Sequence, residues 1–305
     1  MDLSDGTRGV LTMALGRRHR RMAQRLAWSL DVHAAELPRA VITDARTKAL
    51  SRCFDHLIEL RPGALGPLEE RFYFDSYSPF TETLYIDADS LVVGRLDDVW
   101  ALMRRVPLGV VGRQIASGRW YGDVEQMAAA VGADSLPKFN GGLYYFNRSA
   151  ASQTVFASGR DLMGRYEELG LANHALGRSD EPVMAMALAK HGIEALDDGG
   201  TAMRTPIGIR GELDIDVLRG YCSFDKDGQL VTPRVVHFAG SWTRGFRYRR
   251  ETLKLTLHRR LPLVPAAAIS RVVNGTTNLP YEVSAFLTQP LRPWVRRFRQ
   301  SRVFG

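Results

Sequence analysis

The chain has 305 residues, is 45% hydrophobic and 24% charged, and carries a formal net charge of +8. That composition suits one large or two small globular domains and excludes a disordered or fibrous protein. Two cysteines, Cys53 and Cys222, form no pair of motif spacing, which excludes a cysteine-based zinc site and fits a reducing compartment, with the cytoplasm as the default.

The charge is unevenly placed. From Arg244 to the end there are thirteen Arg or Lys and two acidic residues, Glu251 and Glu282, a net of +11 that leaves −3 for residues 1–243. A basic appendage on an acidic body argues against a nucleic-acid-binding main domain. Met1–Gly6 lacks the basic-then-apolar order of a signal peptide, and no apolar run reaches the roughly 18 residues of a membrane span.

The elements begin with a strand over Val10–Leu15, closed by Gly16. A helix is predicted over about Arg18–Val32, with Met22, Leu26 and Leu30 on one stripe beside Ala23 and Ala27. The basic cluster Arg17–Arg21 sits at the wrong end for the helix dipole, so it is either solvated, the simpler reading, or facing an anion. Ala40–Thr43 is a second strand and Leu57–Leu60 a possible third, followed by a Pro/Gly loop at 62–67.

The most informative stretch is Thr83–Val93. An apolar run, Leu84-Tyr85-Ile86, leads into Asp87-Ala88-Asp89, and a second apolar run follows. This reads as a buried strand ending in two carboxylates on one side. In open α/β sheets ligands bind beyond the carboxyl ends of the strands, where such a pair suits Mg²⁺ or Mn²⁺ carrying a diphosphate. Asp-x-Asp also occurs at Asp214–Asp216 and Asp225–Asp227, the latter in a plain hairpin turn, so the pair alone leaves metal binding open.

Further on, Leu96–Met103 is a short helix and Leu108–Val111 a strand. Residues 112–138, which contain Gly118, Trp120, Tyr121, Gly122 and Pro137, read either as a substrate-covering loop or as a surface excursion with a short helix near Val124–Val131. Phe139-Asn140-Gly141-Gly142 precedes an apolar strand ending at Asn147. Two glycines there permit close backbone approach, or simply a turn. Ser179-Asp180-Glu181-Pro182 opens a helix over Val183–His191, and N-terminal capping accounts for its residue types. Val235–Trp242 is a strand carrying His237 and ending at Gly240. The order strand, helix, strand, loop, strand predicts an α/β fold with a largely parallel sheet.

Taken in order, these segments resemble nucleotide-sugar glycosyltransferases of the GT-A fold, glycosyltransferase family 8 in particular, over roughly residues 9–245. The family's Asp-x-Asp strand is similar to Leu84–Asp89, its Phe-Asn-x-Gly segment to Phe139–Gly142, its Asp-Gln pair to Asp180-Glu181, its His-x-x-Gly turn to His237–Gly240, and its upstream arginine to Arg71. Three departures stand out. Thr243 replaces a lysine, with Arg244 next door; Glu181 replaces glutamine; and Leu15-Gly16-Arg17 matches poorly after strand one.

The resemblance implies a Rossmann-like, mostly parallel sheet flanked by helices (residues 1–245) and a basic C-terminal helical extension (246–305). It implies Mn²⁺, or Mg²⁺, held by Asp87, Asp89 and His237. Asp87, Ala88, Gly240, Arg244, Arg71 and Ala14 would face the nucleotide diphosphate. Asn140, Gly141, Gly142 and Asp180 would hold the donor sugar, with Asp180, Glu181 and Asn140 nearest the chemistry. The partners implied are a nucleotide-sugar donor, UDP-linked by preference, and an unidentified glycan, lipid-linked or protein acceptor, with retention of configuration. The Arg/aromatic run Arg292–Arg299 suits an anionic membrane surface at the inner face of the membrane, or a solvated tail. Two rivals are an inactive nucleotide-sugar-binding protein of the same fold and a nucleotidyltransferase, although no Gly-x-Gly phosphate loop occurs.

Overall fold

The computed structural model describes residues 7–64, 66–173 and 177–275. Strand β1 (Arg8–Ala14) enters helix α1 (Gly16–His33), which buries Met22, Ala23, Leu26, Ala27 and Leu30, the stripe expected from the sequence. No side chain of Leu15 caps α1. Instead Asp44 takes the Gly16 N–H at 3.0 Å and Arg20 at 2.5 Å, so one member of the basic cluster faces an anion rather than solvent alone. Strands β2 (Arg39–Thr43) and β3 (His56–Glu59) follow, then a 3₁₀ turn (Glu69–Tyr73), helix α2 (Phe74–Tyr77) and β4 (Glu82–Ile86).

After β4 come β5 (Ser90–Val92), α3 (Asp97–Met103) and β6 (Leu108–Gly109). The 112–138 stretch is not an open loop. It is a ribbon, β7 (Gly112–Ile115) paired antiparallel with β8 (Leu136–Phe139), with α4 (Val124–Ala129) between them and Asp123 as its cap. Strand β9 (Leu143–Asn147) leads to α5 (Ala150–Gly164), a helix absent from the sequence reading, and α6 is Asp180–Lys190.

The six-stranded sheet has the order β3-β2-β1-β4-β9-β6. Strands β3, β2, β1 and β4 pair parallel, and β9 runs against both its neighbours. The chain leaves β1 toward β2 on one side and returns as β4 on the other. The switch point therefore lies between the carboxyl ends of β1 and β4, where a doubly wound sheet opens a crevice.

The remaining strands are β10 (Met203–Arg204), β11 (Arg210–Asp216), β12 (Tyr221–Lys226), β13 (Gln229–Val231) and β14 (Val235–His237). The Asp227-Gly228 turn joining β12 and β13 has positive φ at both residues, 55° and 85°, the hairpin expected from the sequence. Strand β14 pairs antiparallel with β5, setting His237 opposite Ser90. A second 3₁₀ turn (Gly240–Arg244) leads to α7 (Phe246–Arg260) and a helical segment at 266–275.

The C-terminal helices are bound to the body by buried charge. Lys254 Nζ lies 3.0 Å from Asp216 Oδ2 and 3.0 Å from Glu251 Oε1. Glu251 also takes Arg250 Nε at 2.8 Å and the Val217 N–H at 2.8 Å, and Ser270 donates to Asp216 at 2.8 Å. Glu251 and Lys254 are fully buried. The run Arg292–Arg299, singled out above for membrane contact, lies outside the described residues.

Removing one member of such a network strands the others without compensation. Glu251→Ala is expected to cost about 3–5 kcal/mol in urea unfolding. A loss below about 1 kcal/mol would show that α7 is held by its apolar contacts alone.

Candidate metal and sugar-nucleotide site

The carboxyl end of β4 delivers Asp87-Ala88-Asp89 into the crevice. The Asp87 N–H donates to the Gly142 carbonyl (3.0 Å), continuing the β4–β9 pairing by one residue, and Ser90 N–H donates back to the Asp87 carbonyl (3.0 Å). The β5–β14 register brings His237 alongside, and Phe238 N–H donates to the Asp89 carbonyl at 3.1 Å. His237 Nε2 lies 3.1 Å from Asp89 Oδ1 and 3.6 Å from Asp87 Oδ2. One ligand atom from each of these three residues falls within 4.8 Å of the others, a group able to hold a metal ion.

The imidazole is aimed by its other nitrogen. Nδ1 is 2.6 Å from Asn140 Oδ1, which also takes the Gly142 N–H at 3.1 Å. That oxygen only accepts, so Nδ1 carries a proton and Nε2 is the nitrogen turned to the two aspartates. Burial lowers the His237 pKa, but Asp89 and Asp87 outweigh it and hold it above its ordinary value. Burial likewise raises Asp89, yet His237 and the hydrogen bond from it keep it below the usual carboxylate range.

Arg71 is the second organiser. It projects from the 3₁₀ turn before α2 and is buried. Nη2 donates to both oxygens of Asp87 at 2.7 Å. Nη1 donates to Asp180 Oδ2 at 3.1 Å and to the Gly141 carbonyl. Tyr85 donates to Asp87 at 2.5 Å and Tyr144 to Asp180 at 2.6 Å. Burial pushes both phenols well above their ordinary range, so both remain donors. A Cβ on Gly141 would lie 2.7 Å from Arg71 Nη1, which is why this position has no side chain.

Asp180 and Glu181 begin α6, but Ser179 makes no side-chain cap there. The expected capping role is replaced by contacts across the site. Asp180 goes to Arg71 and Tyr144; Glu181 Oε1 takes the Gly141 N–H at 2.9 Å, and Oε2 faces the Tyr121 hydroxyl at 3.4 Å. Burial first, then the neighbouring Asp180, pushes the Glu181 pKa up to about 7.

The other residues named from the sequence are placed as follows. Ala14 is the fully buried last residue of β1, its carbonyl taking the Thr43 hydroxyl at 3.1 Å. Ala88 is buried between the two aspartates. Gly240 opens the second 3₁₀ turn with φ 63°, and Arg244 closes it, exposed. Arg18, not singled out from the sequence, reaches from α1 to donate to Thr243 Oγ1 at 2.7 Å. Tyr85 and Tyr144 were also missed, because they read simply as apolar strand positions, and Tyr121 was named only as part of the 112–138 stretch.

No protein-family model and no curated protein matches the sequence. Solved structures do match. The galactosyltransferase LgtC, in complex with donor and acceptor sugar analogs, aligns at a TM-score of 0.51 and 15% identity, over 76% of this chain and 87% of that one. An active-site mutant of LgtC, with glutamate in place of a glutamine, aligns at 0.52 and 16% over the same shares. The bifunctional glycosyltransferase WbbM aligns at 0.50 and 11%, over 79% of this chain. GlyE of Streptococcus pneumoniae TIGR4 is 19% identical over 64% of this chain, at a TM-score of 0.45. The chain spans 47% of WbbM and 46% of GlyE. The fold is that of the GT-A glycosyltransferases, a central mostly parallel sheet with flanking helices.

Two outcomes follow from this geometry. A Cβ on Gly142 would land on the His237 ring, so Gly142→Ala should weaken Mn²⁺ binding about 10–100-fold by calorimetry. An unchanged affinity would remove His237 from the metal group. Glu181 titrates higher folded than unfolded, so its contribution is complete below its ordinary pKa of 4.5 and is lost as pH rises through about 7. In EDTA, wild type should therefore lose on the order of 3 kcal/mol relative to Glu181→Gln between those limits. Parallel pH–stability curves would place Glu181 in contact with water.

Proposed function

We propose that this chain is a metal-dependent glycosyltransferase resembling family 8. It moves a hexose from a nucleoside-diphosphate sugar, UDP-linked by preference, to an acceptor hydroxyl. The single observation that carries the reading is the Asp87–Asp89–His237 group at the switch point between β1 and β4. Two carboxylates with one imidazole form a mixed O/N donor set that suits Mn²⁺ better than Mg²⁺. When bound, the ion supplies Lewis-acid stabilisation of the departing diphosphate.

The residues then divide the work. Asp89, Asp87 and His237 hold the ion, and Asn140 fixes the tautomer of His237. Arg71 has both terminal nitrogens on Asp87, Asp180 and Gly141, so we assign it as a clamp rather than a diphosphate ligand. The cationic role toward phosphate passes to Arg244 and Arg18, both exposed at the second 3₁₀ turn. Gly240, Ala88 and Ala14 line the nucleotide side by backbone. Gly141, Gly142, Asn140 and Asp180 border the donor sugar, with Asp180 and Glu181 nearest its anomeric carbon, where carboxylates stabilise positive charge. The resemblance to family 8 favours retention. The transferase unit is 1–245 and the basic extension 246–305, whose distal part would meet an anionic membrane. No helix among the described residues is long and apolar enough to cross one.

Thermal unfolding with nucleoside diphosphates tests this. UDP at about 100 times its dissociation constant should stabilise wild type by about 2.7 kcal/mol, with Mn²⁺ only, and Asp89→Ala not at all. A shift independent of metal, or equal in the mutant, would sink the metal assignment.

A further inference from the structure

Tyr121 is one of two residues other than glycine with a positive φ among the described residues. The second, Asp227, serves a hairpin turn. A left-handed backbone (here φ 59°) is costly for a tyrosine and persists where its surroundings hold it. They do so here from three sides. Val124 N–H donates to the Gly118 carbonyl and Trp120 N–H to the Gly122 carbonyl, each at 2.9 Å, which leaves Tyr121 at the tip of a pinched turn. Ala172 N–H ties down the Tyr121 carbonyl at 2.6 Å. Gly122 packs against Met127, whose Sδ would lie 3.0 Å from a Cβ.

The tip points its hydroxyl at the candidate site. Tyr121 Oη is 3.4 Å from Glu181 Oε2, and its ring stands at 66° to Trp120 with centroids 5.7 Å apart. The two carboxylates that open α6 are held differently. Asp180 is taken by Arg71 and Tyr144 deep in the site. Glu181 is fixed by the Gly141 N–H on one oxygen and reaches the partly exposed Tyr121 with the other. The strained turn thus sets its hydroxyl against two polar neighbours at the start of α6, Ser179 and the outer oxygen of Glu181.

We propose that Tyr121 is a positioning residue for the acceptor: it holds Glu181 Oε2 so that the acceptor hydroxyl can donate to the same oxygen. The inference rests on the glycosyltransferase reading above. It assigns the acceptor side of the site to the ribbon β7–β8 and its turn, an assignment that the metal group and its neighbours do not make. The groups facing Glu181 are Asp180 on its own helix, Arg71 from the 3₁₀ turn, His237 on β14, Tyr144 on β9 and Tyr121 itself. Among these Tyr121 can be altered by a single oxygen without disturbing the clamp.

The test uses the full chain as wild type, Tyr121→Phe, Glu181→Gln and the double variant. UDP release from UDP-glucose and UDP-galactose with Mn²⁺ is followed against pH, with water standing in as acceptor. Thermal unfolding in EDTA is followed over the same range. Tyr121→Phe should leave the donor KM within about twofold and lower kcat about five- to tenfold, as for one lost hydrogen bond of ordinary strength. It should also move the Glu181-linked unfolding step up by about half a pH unit. The double variant should turn over no more slowly than Glu181→Gln. An unmoved step, or losses that add, overturns the proposal. A moved step in a protein whose wild type releases no UDP keeps the contact but overturns the acceptor role, together with the glycosyltransferase reading on which it rests.

Discussion

One buried guanidinium governs the site. Four carboxylates, Asp87, Asp89, Asp180 and Glu181, converge where β1 and β4 end and β9 begins, and without cations they would repel one another. Arg71 meets Asp87 with one terminal nitrogen and Asp180 with the other, and its position between them fixes the separation of the two acids. Burial alone would lower the Arg71 pKa, but Asp180 and Asp87 raise it far above its ordinary value, so its charge is permanent. A buried charge of this kind is held only with its partners in place. Arg71 therefore ties the Asp87–Asp89–His237 group to the acids that open α6. The glycine at 141 is part of the same constraint, since a side chain there would occupy the guanidinium's space.

His237 reaches the site by a different route. It is 148 residues from Asp89, and what joins them is the β5–β14 register, which continues through Phe238 N–H to the Asp89 carbonyl. A slip of one residue would turn the imidazole to the other face of the strand and put a valine or phenylalanine against the aspartates. The small sheet β10-β14-β5 is thus more than packing, since it sets the third member of the candidate metal group.

The βαβ frame was legible because its signals are periodic. Met22, Leu26 and Leu30 repeat on one face of α1, and Leu84–Ile86 forms an unbroken apolar run before charge begins. Helix α5 was missed although its buried Val155, Phe156, Leu162 and Met163 also recur at helical spacing, because the central position of that stripe is a glycine, Gly159, which packs against Phe72. The aspartate pair, Asn140 and His237 could be named from the sequence, but what each touches could not. Asn140 was read as a sugar contact, and in the structure its oxygen meets the imidazole and the Gly142 N–H. The acids at the start of α6 looked like capping, since that is what Ser-Asp-Glu-Pro does when no partner arrives from elsewhere. Arg71, from a segment with no clear periodicity, is the partner that arrives.

The difference between Asp180 and Glu181 shows how neighbouring carboxyls acquire different chemistry. Both lie in the first turn of α6, where the helix dipole favours negative charge. Asp180 has a guanidinium and a phenol on the same oxygen. Glu181 has one backbone N–H, a distant phenol and a like charge next door, and burial does the rest. Two acids on one helix turn are thereby split into one locked between Arg71 and Tyr144 and one that changes charge near neutrality. Glu181 is thus a titratable group at the outer edge of the site. The strained Tyr121 turn is the element of this chain that meets it.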